Sequence, residues 1–315
     1  MKPLLKIVFQ VSLIVVFLTL NKQLVYSQKN HAQLFVSISD MGPATSSFVK
    51  NNNVRGISVI YQRDIDPRNE LKLDPAVFTA AVNRVIPNAN ATGYACIDWE
   101  GKIAVTLQVA HQNTAEFQNA IAEFIRTIEL ARQLRPNMKW GFFGIPYQPL
   151  DKRDRRSVNA DIPQLLKLCD VFYPAMYVPY NSAQSIGYRT KAEKEDWVSY
   201  NLSSTLGIAN KMNKPVLVFL WHRYYSAGFN QNSLKLIPPN EFKNYVKEIL
   251  ALNYSGKMVD GLIFWGEDTY YYKIKSKPVV DEFAKSRFKD FPSYHDSLTS
   301  AYLKGIKGTL DSSKN

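Results

Sequence analysis

The chain has 315 residues, 46% hydrophobic and 13% aromatic, with 39 Lys and Arg against 27 Asp and Glu, giving a net charge of +12. This composition excludes a disordered or collagen-like chain and suits one large globular domain or two small ones. Two cysteines exclude a disulfide framework, and the charge raises nucleic acid, a membrane surface and an acidic polymer as partners.

Lys2 and Lys6 precede the apolar run from Ile7 to Leu20, and Val25-Tyr26-Ser27 offers a small-residue exit before Gln28. A basic start, a short apolar run and such an exit describe a secretory signal peptide over residues 1–27. The run is short for a membrane span of about 20 apolar residues, although an uncleaved anchor is the competing reading. Its removal takes away three lysines and no acids, lowering +12 to +9. The expectation is an exported protein with no stable membrane span after signal cleavage.

In chain order, strands are expected at Leu34–Ile38 and Gly56–Tyr61, a helix at Pro75–Val85, a strand at Gly93–Asp98 and a long helix at Thr114–Leu134. The long helix carries Phe117, Ile121, Phe124, Ile125 and Ile128 at helical spacing and stops before Arg135-Pro136, because proline cannot continue it. Strand Lys139–Gly144, helix Ile162–Leu168, strand Val171–Tyr177, helix Ser203–Met212 and strand Pro215–Trp221 follow, then helix Pro239–Leu250, strand Gly261–Trp265 and helix Val279–Arg287. Few charges interrupt the strands, as expected for parallel strands covered on both faces. Even strand–helix alternation without a linker predicts one α/β domain over residues 28–290, a closed (β/α) TIM-like barrel of about seven parallel strands. Residues 291–315 read as a short C-terminal helix and a frayed tail. No G-x-G-x-x-G turn follows any strand, which weighs against dinucleotide binding.

Barrel chemistry sits at the C-terminal ends of the strands. Those ends hold Asp98-Trp99-Glu100, Phe142-Phe143, Tyr173 to Tyr177, Trp221-His222-Arg223 and Trp265-Gly266-Glu267-Asp268. Aromatic rings suit the apolar faces of sugars, and carboxyl groups cut glycosidic bonds, so a carbohydrate cleft is expected. Asp98 and Glu100 are two apart on a strand end and point the same way, about 6–7 Å apart along the strand. Two shielded carboxyls that close hold one proton near neutral pH, giving an acid and an anion. A solvated strand end is the plainer reading of the spacing alone.

Around this pair, Lys139-Trp140-Gly141-Phe142-Phe143-Gly144-Ile145-Pro146-Tyr147, Tyr173-Pro174-Ala175-Met176-Tyr177, Val216–Tyr224 and Gly261–Gly266 stand in one order. Together they resemble the hyaluronidases of the animal and venom type over roughly residues 75–270. The resemblance implies a distorted seven-stranded barrel and a retaining hydrolysis assisted by the substrate's own N-acetyl group, needing no cofactor and no metal. It implies Glu100 as proton donor, Asp98 as the group that orients the acetamide, and Tyr177 as its hydrogen-bonding neighbour. Trp265 would wall the N-acetylhexosamine subsite, Trp221 and His222 would line the cleft, Tyr173 would bind substrate, and Tyr147 and Phe143 would be supports or outer-subsite aromatics that meet the substrate.

The chain departs from that pattern in four places. Gly101-Lys102-Ile103 replaces a Trp-Arg-Pro turn after the acid, His222 replaces a tyrosine, Glu267 and Asp268 replace polar residues, and the family's cysteine bridges are missing. Cys96 and Cys169 read as buried free thiols. Arg153 and Arg155 within Lys152–Arg156 can hold acidic groups of a glycosaminoglycan, as can Lys273, Lys275 and Lys277, or these can be solvated charges. No nucleic-acid motif accompanies them. Expected partners are therefore an N-acetylated, possibly acidic polysaccharide and no nucleic acid, the protein being a monomer. Two alternatives stand beside this reading, a glycosidase for another N-acetylated polymer such as chitin or peptidoglycan, and a carbohydrate-binding barrel without catalysis.

Overall fold

A computed structural model describes residues 32–148, 158–178, 191–225 and 234–313. The expected leader and the Arg153–Arg155 cluster lie outside the described residues. The strands are β1 (Gln33–Ile38), β2 (Arg55–Gly56), β3 (Ser58–Tyr61), β4 (Gly93–Asp98), β5 (Met138–Phe142), β6 (Leu217–Trp221) and β7 (Gly261–Gly266). All pair in parallel, in the orders β2-β1-β7-β6 and β3-β4-β5. The two sheets join at both edges. β2 and β3 are one extended stave broken at Ile57, whose N–H donates to the Val36 carbonyl. On the other side the segment 171–178 bridges Phe143 to Tyr173, Phe172 to Val216 and Ala175 to Phe219. The ring so formed is a distorted barrel of seven staves.

The expected strand Val171–Tyr177 is thus reduced to isolated bridges. Pro174 lies at its centre and has no N–H to give to a ladder, although its carbonyl accepts from Phe219 N–H. The other strands fall where they were expected, within a few residues.

Alternation along each strand divides the core into two layers. Phe35, Val59, Cys96, Leu217, Phe219, Trp221 and Ile263 point into the barrel. Leu34, Val36, Ile97, Val218, Leu220, Leu262 and Phe264 point outward and meet the helices. Those helices are α1 (Pro43–Asn51), α2 (Pro75–Val85), α3 (Gly101–Val109), α4 (Ala115–Leu134), α5 (Val158–Asp161), α6 (Pro163–Leu168), α7 (Lys191–Met212), α8 (Pro239–Ala251), α9 (Asp268–Lys273), α10 (Lys277–Ala284) and α11 (Phe291–Ser312). Asp74 caps α2 by accepting from the N–H groups of Ala76 and Val77, and Thr114 caps α4 by accepting from Phe117 N–H. α4 ends at Arg135, whose side chain is buried and donates to the Ile86 carbonyl and to Asn83.

The C-terminus corrects a further expectation, because α11 is a 22-residue helix rather than a short one with a frayed tail. Tyr294, Tyr302, Leu303, Ile306 and Leu310 recur at helical spacing and are buried against the barrel wall. Asp296 of α11 accepts from the N–H groups of Ala44 and Thr45, so it satisfies the start of α1 from across the fold. Among the described residues no helix is long and apolar enough to cross a membrane.

Candidate active site

β4 delivers its side chains alternately inward and outward past its own end. Cys96 and Asp98 face the barrel, Trp99 turns out to stack on Phe124 of α4 with ring centroids 5.2 Å apart, and Glu100 turns in again. Gly101 then starts α3 with φ +71°, a left-handed conformation that disfavours any side chain. A Cβ there would also lie 3.0 Å from the Gln62 amide. The buried Trp99 and the unusual Gly101 therefore hold the two carboxyls on one wall.

That wall belongs to a cleft of about 540 Å³, part of it open to solvent, lined by Asp98 and Glu100 with Tyr61, Phe143, Tyr177, Trp221, Tyr225, Trp265 and Tyr271 among others. Tyr177 stacks on Trp265 at 5.7 Å and 18°, and Trp221 meets Trp265 edge-on at 4.9 Å. Glu100 reaches solvent at the mouth, while Asp98 lies deeper, its Oδ1 enclosed and without a hydrogen-bond partner among the described residues. Burial raises the proton affinity of Asp98 well above the ordinary carboxylate range, and the charges of Glu100 and Glu267 raise it further. Burial raises Glu100 as well. The pair retains a proton that a solvated Asp and Glu would lose. Tyr177 is pushed up by burial and then by Asp98 and Glu100, so it stays a hydroxyl donor.

Of the residues expected at the site, Asp98, Glu100, Tyr177, Trp221 and Trp265 come together. Three others do not. His222 follows Trp221 by one residue and so points out of the barrel, where it is fully buried, stacked on Phe264, with Nε2 3.0 Å from Asp268 Oδ2. Tyr173 is fully buried one layer below the cleft floor, its ring edge-on to Phe219. Tyr147 packs against the outer layer while its N–H donates to Asn159 Oδ1. Strand alternation takes His222, and depth takes Tyr173, out of the substrate-binding role expected of them, while Tyr147, half-buried past the end of β5, is not among the residues that line the cleft. Arg153 and Arg155 lie outside the described residues.

Tyr61, Tyr225 and Tyr271 line the cleft without having been singled out from sequence. Tyr61 ends an expected strand and pairs in register with Asp98, so the strand-end rule sufficed to find it. Tyr271 lies on α9, which the sequence pattern did not reveal. Glu267 stands beside the cleft, accepting from the hydroxyls of Ser39 and Tyr61, the latter at 3.2 Å. Its neighbour Asp268 is fully buried in a bidentate pair with Arg223, at 2.9 and 2.8 Å, and Arg223 also reaches Glu282. Asp268 is thus neutralised behind the cleft wall. No group of three or more metal-ligating side chains occurs among the described residues.

The sequence profile described as Hyaluronidase matches residues 102–299, more than half of the chain, and begins two positions after Glu100. Hyaluronidase A of Vespa velutina is 26% identical over 152 residues, covering 45% of this chain and 40% of that protein. Hyaluronidase Tab y 2.0101 of Tabanus yao is 24% identical over 285 residues, covering 73% and 76%. The match thus spans less than half the length of the first relative and about three quarters of the second. Among solved structures, bee venom hyaluronidase superposes with a TM-score of 0.58 at 17% identity, over 86% of this chain and 99% of that one. The same enzyme in complex with a hyaluronic acid tetramer gives 0.55, over 81% and 95%. At that identity the likeness shows the fold, an α/β barrel.

Proposed function

The chain belongs to the hyaluronidase family of glycoside hydrolases, and on that footing we propose that it is an exported endo-acting enzyme cleaving β-N-acetylhexosaminidic bonds in a hyaluronan- or chondroitin-like polymer. The observation that carries this reading is the pair Asp98 and Glu100, both with raised proton affinity, on one wall of an aromatic cleft. The solved relative bound to a hyaluronic acid tetramer supports the polymer class.

The chemistry follows from the placement. Glu100, protonated at the cleft mouth, gives its proton to the leaving glycosidic oxygen. The substrate's acetamide oxygen attacks the anomeric carbon from the opposite face as that bond breaks, forming a cyclic oxazoline-like intermediate. Asp98 orients the acetamide nitrogen and balances the positive charge that develops on it, with the Tyr177 hydroxyl as a second hydrogen-bonding group. Trp265, stacked on Tyr177, presents a flat wall to the sugar. Water then opens the intermediate as Glu100, now a carboxylate, takes its proton, so the anomeric configuration is retained.

Digests of hyaluronan, chondroitin and chitin, analysed by mass for product size and reducing-end sugar, test this reading. Products ending in N-acetylhexosamine from an acidic polymer support it, and inhibition by an N-acetylglucosamine-thiazoline supports the assisted step. A second reading, a neutral N-acetylated polymer as substrate, is favoured by one observation. Among the described residues that line the cleft, Asp98 and Glu100 are the charged ones, and both are acids. Cleavage of chitin alone would decide for it.

A further inference from the structure

Three consecutive tyrosines of α9 go to three different places. Tyr272 stacks on Phe291 of α11, ring centroids 3.9 Å apart and planes at 7°. Tyr271 turns into the cleft and stacks on Trp221 at 5.4 Å and 29°. Tyr270 is 53% exposed and meets Tyr271 edge-on at 5.3 Å. Successive side chains of a helix diverge by about 100°, so a fixed helix imposes this separation. α9 is fixed at one end by the fully buried Asp268 and on its inner side by Tyr272.

Isolated surface aromatics are ordinary, but Tyr270 is not isolated. It ends a continuous track of rings that leaves the cleft. Phe143 to Tyr177, Tyr177 to Trp221, Trp221 to Tyr271 and Tyr271 to Tyr270 are 5.9, 5.7, 5.4 and 5.3 Å apart. Lys273, three residues on, shares the helix face of Tyr270 and is exposed.

We infer that Tyr270 and Lys273 form an outer subsite for the next sugars of an acidic polymer, continuous with the catalytic cleft. The Tyr270 ring takes the apolar face of a pyranose, and the Lys273 ammonium takes the carboxylate of the adjoining uronate. A uronate–N-acetylhexosamine repeat carries one carboxylate for every two rings, so a stacked N-acetylhexosamine has a uronate carboxylate on either side. The inference rests on the reading of the substrate as a glycosaminoglycan and adds a place where chain length is sensed.

Kinetics of the full chain and of Tyr270→Ala, Tyr270→Phe and Lys273→Ala on long hyaluronan, and on the shortest oligosaccharide the protein cleaves, test it. Tyr270→Ala should raise KM for the polymer about five- to tenfold with kcat kept and the oligosaccharide unaffected. Tyr270→Phe should restore the polymer KM. Lys273→Ala should raise that KM at low salt and lose its effect as salt screens the charge. An unchanged polymer KM in Tyr270→Ala, or equal losses on long and short substrates, overturns the subsite while leaving the activity standing. If the unaltered protein cleaves neither hyaluronan nor chondroitin, the substrate reading falls and the subsite falls with it.

Discussion

Two strand ends of this barrel bury acids, and they treat them in opposite ways. At the end of β7, Asp268 is enclosed but meets two nitrogens of Arg223 and the His222 ring. Burial alone would raise its proton affinity, yet those neighbours hold the carboxyl well below the ordinary range. At the end of β4, Asp98 is shielded beside two other acids, and its proton affinity rises. A buried acid given partners clamps β6, α9 and α10 together. An acid buried beside other acids is poised to hold, give up or share a proton, which is what hydrolysis requires.

The sharpest test of that contrast is to remove one charged group at each end. Glu100→Gln should lower kcat about 10²- to 10⁴-fold in a reducing-end assay while polymer binding persists. Retained turnover would remove Glu100 from the proton-donor role. Arg223→Ala should instead destabilise the fold by about 3–5 kcal/mol in urea unfolding, because it strands Asp268 and Glu282 without their cation. Because Asp268 is depressed in the folded state, that clamp acts above the ordinary carboxylate range. It weakens as pH falls toward the folded-state value, and the variant's deficit should shrink with it.

For Asp98 the sign reverses. Its raised folded-state affinity means that folding binds a proton the unfolded chain releases, so stability drops as pH rises from the ordinary carboxylate range toward the folded-state value. Asp98→Asn should therefore cost activity yet stabilise the fold at neutral pH, on the order of 1 kcal/mol, with the gain vanishing in acid. Thermal melts at neutral and acid pH read this difference. A variant less stable at every pH would mean that Asp98 is a structural acid like Asp268.

Much of this contrast was legible in the sequence. The β4 pair stood out because period-two alternation puts both carboxyls on one side and Trp99 on the other. The same rule, applied one residue past Trp221, would have sent His222 out of the barrel. Tyr173 was misread for a different reason, since depth along a stave is invisible when Pro174 breaks the ladder that would count it. The apolar spacing of α11 was present as Tyr294, Leu298, Tyr302, Ile306 and Leu310 but was hidden among lysines and serines. Whether Glu267 or Asp268 faced the cleft could not be read from adjacency, because the answer lay in Arg223, 45 residues earlier in the chain.

Glu267 gives the smallest and most discriminating prediction. It sits between the two kinds of acid, with its own proton affinity raised by burial and moderated by the Ser39 and Tyr61 hydroxyls. Its charge is one of the forces raising Asp98. Glu267→Gln removes that charge but can keep the hydrogen bond from Tyr61, so the cleft wall should survive. The proton shared by Asp98 and Glu100 is then held less tightly, and it is lost at a lower pH. The alkaline limb of the pH–rate profile should move to lower pH, with little change in the rate at acid pH. Tyr61→Phe removes the hydroxyl and leaves the charge, so it should not produce that displacement. If both variants shift the limb alike, Glu267 acts by holding Tyr61 in place. If Glu267→Gln alone shifts it, the third carboxylate sets the working pH of the other two by its charge.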